Sequence, residues 1–194
     1  MYLAFEGIDT VGKSTQIERL ARRFPDVVVT REPGGTELGK KIRTILLEGG
    51  KVLPRSETLL FLADRAEHTE RVVRPNLHRL ILSDRSFLSG IAYAHIHDSI
   101  AVDTLLQLNR FATANLLPDR IALFRIDESS LRERMAQKSG DAIETRGIDY
   151  MLRVQKTMEE LLDLLQIDHI LIDATAPVES ITETLYRYIK DSQA

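Results

Sequence analysis

Cysteine is absent from this sequence, so the chain can form no disulfide, no thiolate zinc site and no cysteine nucleophile. That absence fits a reducing compartment. Strong net charge is also missing. A formal value of -3 supplies no field that would draw in nucleic acid generally. No window approaches the roughly 20 consecutive apolar residues of a membrane span. No basic n-region precedes the first strand-like run, YLAF, so no signal peptide is expected. Internal repeats, linkers and low-complexity tracts are lacking too. The expectation is a soluble, cytoplasmic protein with neither nucleic acid nor membrane as a partner. A length of 194 residues suits one domain, taken as 1–194. With 43% hydrophobic and 28% charged residues the chain can bury a core, and disorder is not expected.

What is present is an alternation. Short apolar runs start at Tyr2 (YLAFE), Val27 (VVVTRE), Arg79 (RLILSDR), Arg120 (RIALFRID) and His169 (HILIDA). Each is nearly continuously apolar, as strands covered on both faces of a parallel sheet should be. Helical patterns lie between them. Lys13 to Phe24 places Ile17, Leu20 and Ala21 on one face, and Asp149 to Leu165 places Met151, Val154, Met158, Leu161, Leu162 and Leu165 on another. Ser130 and Glu133 have capping-box spacing, and Pro177 sits where a last helix could begin. Strands alternating with helices imply an α/β fold, a parallel sheet flanked by helices through right-handed crossovers. The polar stretch QKSGDAIETRG, Gln137 to Gly147, interrupts the helical pattern and reads as a mobile loop on the same domain.

Between the first strand and the first helix stands GIDTVGKST. Gly7, Gly12, Lys13 and Ser14 match G-x-x-x-x-G-K-[ST]. The glycines let successive N–H groups turn inward toward phosphate oxygens. Lys13 can reach the β- and γ-phosphates, Ser14 can ligate magnesium, and the following helix directs its positive end at the same anion. The donor loop is therefore Gly7, Ile8, Asp9, Thr10, Val11, Gly12, Lys13, Ser14 and Thr15, and the expected ligand is a nucleoside triphosphate with Mg2+. A guanine-reading N-K-x-D is absent, which argues against a GTPase, and the chain is short for a mechanical ATPase. Ligands of parallel sheets sit at the carboxyl ends of the strands. That places TREPGGT, SDRSFLSGIAY and DATAP around the same cleft. Asp84 could hold magnesium directly or through water, and Arg85 could clamp an acceptor phosphate. A structural salt bridge at a strand end would look the same from sequence.

GIDTVGKSTQ, TREPGGT, LFLADRAEH and SDRSFLSGIAY, in this order and spacing, resemble the bacterial thymidylate kinases. The resemblance runs from the first strand to the last helix. It implies a P-loop nucleoside-monophosphate-kinase fold with a short lid at about 132–147, and transfer of the γ-phosphate of MgATP to dTMP, giving dTDP for dTTP synthesis. It also implies a homodimer, and the helices from Thr36 to Glu48 and from Ser56 to Arg74 could carry its surface.

The resemblance assigns roles residue by residue. Phe61 would stack on thymine, although a core aromatic would read the same way. Arg65, one helical turn on, would donate to the base O4. Arg85 would grip the acceptor phosphate with help from Arg43, and Asp9 would lie near the sugar hydroxyl and phosphate. Tyr93 would stand beside the sugar C2', Ser89 near the base edge, and Pro33 with Gly34 under the sugar. The P-loop carries Thr10 and Val11 rather than an arginine, so the lid would supply the cation that phosphoryl transfer needs. Arg132, Arg134, Lys138 and Arg146 are available. Arg134 is favoured for the transferring group and Arg132 for the adenine or phosphates of ATP. An Asp-Arg dipeptide often found in the family's lid is replaced here by Asp141 and Ala142. The catalytic set is thus Lys13, Asp9, Arg85 and Arg134. The five histidines form no ligand set and read as structural or exposed. Two alternatives stay open: a deoxynucleoside kinase, and a nucleotide-responsive binding protein that hydrolyses ATP slowly. The REPGG loop and the arginines of the acceptor cleft favour the monophosphate acceptor.

Overall fold

The structure, a computed structural model, describes residues 1–48, 52–136 and 147–192. Its strands are β1 (Tyr2–Glu6), β2 (Val28–Arg31), β3 (Ile81–Asp84), β4 (Arg120–Arg125) and β5 (His169–Asp173). All pair in parallel in the order β2-β3-β1-β4-β5. The five apolar runs are these five strands. Around them lie α1 (Lys13–Ala21), α2 (Glu37–Leu47), α3 (Pro54–His68), α4 (Phe87–Asp98), α5 (Val102–Ala112), α6 (Glu128–Ala136), α7 (Ile148–Leu165) and α8 (Val178–Asp191).

The sheet order explains which strands are fully covered. All five residues of β1 are buried, as are Ile121 to Phe124 of β4. The edge strands differ from the sequence reading, which treated every run as buried on both faces. Val29 of β2 is 51% exposed and Leu171 of β5 is 46% exposed. An edge strand has one neighbour instead of two and needs less cover. Phe5, Phe87 and Phe124 are among the largest fully buried side chains of the core.

Helix ends follow local chemistry. α1 stops at Ala21, three residues before the expected end, and the Arg23 N–H donates to the Leu20 carbonyl in a tightened last turn. Thr36 caps α2 by accepting from the Gly39 N–H at 2.9 Å. α3 passes at Thr69 into a wider π turn, Thr69–Val73, where a continuous helix to Arg74 was expected. The capping box at Ser130 is not formed. Ser130 lies inside α6, and Asp127 is the cap, accepting from the Ser130 N–H at 2.9 Å and from the hydroxyls of Ser129 and Ser130. Those bonds hold the Asp127 carboxyl well below its ordinary range. Carboxylates cap as well as hydroxyls do, so the acid two residues after β4 takes the role. α7 buries the expected face, including Met151, Val154, Met158, Leu161 and Leu162.

Candidate active site

The chain crosses from one side of β1 to the other after β3. The loops that follow β1 and β3 therefore meet at the carboxyl edge of the sheet, with Phe5 in register with Asp84. The first of these loops needs its glycines. Gly7 has φ +139°, and a Cβ there would stand 2.7 Å from the Phe124 carbonyl. Gly12 has φ +89° and caps α1 in the left-handed region. Thr10 also has positive φ, 72°, which completes the turn around the anion position.

Lys13, at the start of α1, folds back over this loop. Its ammonium donates to the carbonyls of Gly7 at 3.0 Å and Ile8 at 2.7 Å, and the residue is only 6% exposed. Burial, with the Arg85 charge second, pulls its pKa down to about 7. Ser14 donates from its hydroxyl to Asp84 Oδ2 at 2.8 Å. A hydroxyl and a carboxylate are hard oxygen donors of the kind Mg2+ takes when phosphates and waters complete its shell. The pair fits that ion, and among the described residues no cluster of three or more acidic or histidine ligands offers a cage.

Arg85 joins the two loops. Its Nη1 donates to the Gly7 carbonyl at 3.1 Å and to Ser89 Oγ at 2.8 Å, and its Nη2 to Asp9 Oδ1 at 2.5 Å. Tyr93 lies under the guanidinium, 5.6 Å from ring centroid to Cζ, and packs against Tyr150 of α7. Burial pushes the Tyr93 phenol up to about 12, so it is neutral in the physiological range. One participant had no signal in the sequence. Glu6, the last residue of β1, is fully buried and accepts from the Ser86 N–H at 2.8 Å, from the Ser86 hydroxyl at 2.7 Å and from the Ser89 hydroxyl. It pins the start of α4, and through Ser89 it sets one partner of Arg85. Only the cross-strand neighbourhood makes it visible.

The β2–α2 loop forms the opposite wall. Arg43 Nη1 donates to the Pro33 carbonyl at 3.0 Å, and the Gly34 N–H donates to Asp64 Oδ1 at 3.0 Å. Phe61 is half-buried on α3. Arg65 is placed deeper than its assignment suggested, at 3% exposure. Its Nε donates to Glu32 Oε2 at 2.7 Å, Nη1 to Asn109 Oδ1 at 2.5 Å and Nη2 to the Ser86 carbonyl at 2.9 Å. His68, fully buried, bridges Glu32 and Thr30. Burial raises the Glu32 carboxyl, but Arg65 and His68 outweigh it and hold the group below its ordinary value.

On the donor side, Arg134 of α6 reaches back to the P-loop. Nη1 donates to the Thr10 carbonyl at 3.0 Å and Nη2 to the Ala174 carbonyl at 2.5 Å. Arg134 thus ties the P-loop to the loop after β5. Arg132 is not brought there; it pairs with Glu128 of its own helix at 2.6 Å on an exposed face. Lys138, Asp141, Ala142 and Arg146, and with them most of the lid expected at about 132–147, lie outside the described residues.

A parallel sheet with a G-x-x-x-x-G-K-S loop after β1, an Asp-Arg pair at the end of β3 and an arginine of α6 bonded back to that loop defines a P-loop nucleoside-monophosphate kinase. Comparison with known proteins narrows the class. A family model described as thymidylate kinase matches residues 5–185. The chain is 49% identical to the thymidylate kinase of Sulfurovum sp. (strain NBC37-1), over 98% of this chain and 100% of that one. It is 48% identical to that of Sulfurimonas denitrificans, over 97% and 99%, and 43% identical to that of Helicobacter hepaticus, over 97% and 98%. The chain belongs to the thymidylate kinase family.

Proposed function

We propose that the chain transfers the γ-phosphoryl group of ATP to the 5'-phosphate of dTMP, giving ADP and dTDP, as a step toward dTTP. The observation that carries this reading is the position of Arg85, bonded to the P-loop at Gly7 and Asp9 and to α4 at Ser89. A guanidinium on that seam can hold an acceptor phosphate in line with the γ-phosphate of a nucleotide in the loop. A phosphate oxygen of dTMP attacks the γ-phosphorus, the bond to the β,γ-bridging oxygen breaks, and ADP leaves. No general base is required, because the nucleophile is already an anion.

The positions of the other residues support the remaining roles. The P-loop amides and Lys13 hold the donor phosphates. Ser14 and Asp84 would hold Mg2+, which supplies charge neutralisation on the β- and γ-oxygens when bound. Arg134, already at Thr10, supplies the lid cation. Phe61, Arg65 and Ser89 read the base, Tyr93 and Pro33 frame the sugar, and Asp9 and Arg43 steady the phosphate end. Residues 1–194 act as one domain with its lid at about 132–147. The exposed Leu38 and Ile45 of α2 and Leu59 of α3 support a homodimer through those helices. The absence of cysteine supports a cytoplasmic setting, and no described helix is long and apolar enough to cross a membrane.

The test is ADP release from MgATP with dTMP, dUMP, dCMP, AMP or thymidine as acceptor. Fast turnover with dTMP, slower turnover with dUMP and negligible turnover with the others is expected. Turnover with thymidine but not dTMP would move the chain to the nucleoside kinases, and release independent of any acceptor would leave only the P-loop reading.

A further inference from the structure

We infer that Gly90 and Asn109 are positioning residues for Arg65, and through it set the discrimination between a carbonyl and an amino group at position 4 of the acceptor base. This rests on the base-reading role proposed for Arg65.

Three bonds fix the plane of the Arg65 guanidinium. Two of its acceptors, Glu32 Oε2 and the Ser86 carbonyl, belong to the loops of the cleft. The third, Asn109 Oδ1, comes from α5, outside every segment the cleft was assigned. Asn109 is 2% exposed, and its amide orientation is settled by its surroundings. Its Nδ2 donates to the Leu105 carbonyl at 2.7 Å, leaving Oδ1 to face the cation. The flipped amide would set an N–H2 group against a guanidinium. A guanidinium has five N–H donors. Three are used, so two stay available for a ligand without breaking the network.

Gly90 leaves room for the guanidinium. It follows Ser89 on α4, and a Cβ there would stand 2.9 Å from Arg65 Nη1, 3.0 Å from Nη2 and 3.4 Å from Cζ. The guanidinium therefore rests directly on the Gly90 backbone. A methyl at this position meets the far end of a flexible side chain, not backbone, so the group that yields is Arg65 and not the helix. Displacement breaks the alignment with Asn109 and turns the free donors away from the base. A donor aimed at a carbonyl oxygen rejects an amino group at the same place, and losing the aim loses the rejection.

The experiment is steady-state kinetics on Gly90→Ala, Arg65→Ala and the double variant, with Asn109→Leu and Asn109→Asp as an independent pair. Gly90→Ala is expected to raise KM for dTMP about tenfold, the worth of one misaligned buried hydrogen bond. kcat and KM for ATP stay within about twofold, and the preference for dTMP over dCMP narrows. In the Arg65→Ala background the Gly90 substitution has no further effect. Asn109→Leu repeats the loss, and Asn109→Asp, which keeps the oxygen facing Arg65 but gives up the donor to the Leu105 carbonyl, raises KM less than Asn109→Leu does. An unchanged dTMP KM in both Gly90→Ala and Asn109→Leu, with Arg65→Ala raising it, overturns this inference alone. An equal Gly90→Ala effect with and without Arg65 also overturns it. If Arg65→Ala itself leaves dTMP binding unchanged, the base-reading role falls instead. Thermal unfolding of each variant separates these outcomes from loss of fold, and if Gly90→Ala does not fold, the Asn109 pair decides.

Discussion

Arg85 Nη2 and Asp9 Oδ1 stand 2.5 Å apart, one from the loop after β3 and the other from the P-loop. The pair ties the P-loop to the loop after β3, the two loops proposed to hold donor and acceptor. The guanidinium spreads its donors over Gly7, Ser89 and Asp9, and a phosphate can take over part of that set. Lysine keeps the charge and loses the fork. Arg85→Lys is expected to lower kcat/KM for dTMP by about 10²- to 10³-fold, with KM for ATP changed less than about threefold, in initial-rate measurements.

Lys13 gives a pH signature. Burial, with Arg85 second, pulls its pKa down to about 7, and a triphosphate in the proposed donor site would restore the charged form. ATP binding is therefore expected to take up close to one proton at pH 8 and almost none at pH 6, read by titration calorimetry in buffers of different ionisation enthalpy. The sign for stability follows from the same shift. Between pH 7 and 10.5 the unfolded chain binds the proton that the fold has released, so this group makes the ligand-free protein more stable as pH rises through that window.

Asp64 acts in the opposite sense. It is buried on α3, its Oδ1 holds the Gly34 N–H, and its Oδ2 has no hydrogen-bond partner. Burial, with Glu32 second, raises its pKa from 3.8 to about 6. The fold thus binds a proton that the unfolded chain has lost, and the contribution to stability falls as pH rises from about 4 to about 6. Asp64→Asn keeps an acceptor for Gly34 and removes that slope. Urea unfolding at pH 4.5 and pH 7 is expected to show the variant gaining roughly 1–3 kcal/mol on the parent between the two conditions.

Arg134 and Arg132 are two positions apart and differ in what they touch. Arg134 bonds to Thr10 and Ala174, whereas Arg132 pairs with Glu128 in solvent. Arg134→Ala is expected to lower kcat by about 10²-fold, as loss of a preorganised cation does. Arg132→Ala is expected to stay within about twofold, since exposed pairs contribute little. Single-turnover rates at saturating substrates distinguish the two.

What was legible in the sequence was what local pattern encodes. The buried runs at Tyr2 and Arg120 became the central strands, and the spacing from Gly7 to Ser14 became the phosphate loop, because backbone and anion chemistry dictate both. Edge exposure at Val29 and Leu171 was not legible, since it depends on strand order. Nor was the cap of α6, where Asp127 takes the role that the Ser130–Glu133 spacing offered to Ser130, three residues on. Glu6 ends the apolar run YLAFE within no motif, and its role exists because the turn after β3 brings Ser86 beside it. Asn109 and Gly90 carry no motif at all. Their meaning comes from three elements, α3, α4 and α5, converging on one guanidinium.

The most direct test of one cleft holding donor and acceptor together uses a single molecule, adenosine joined to thymidine through five phosphates. Inhibition competitive with both ATP and dTMP is expected, because the P-loop and the Arg85 seam are continuous. Tight binding should be lost in Lys13→Ala and in Arg85→Ala alike. Competition with ATP alone, unaffected by Arg85→Ala, would contradict the account and place the acceptor elsewhere.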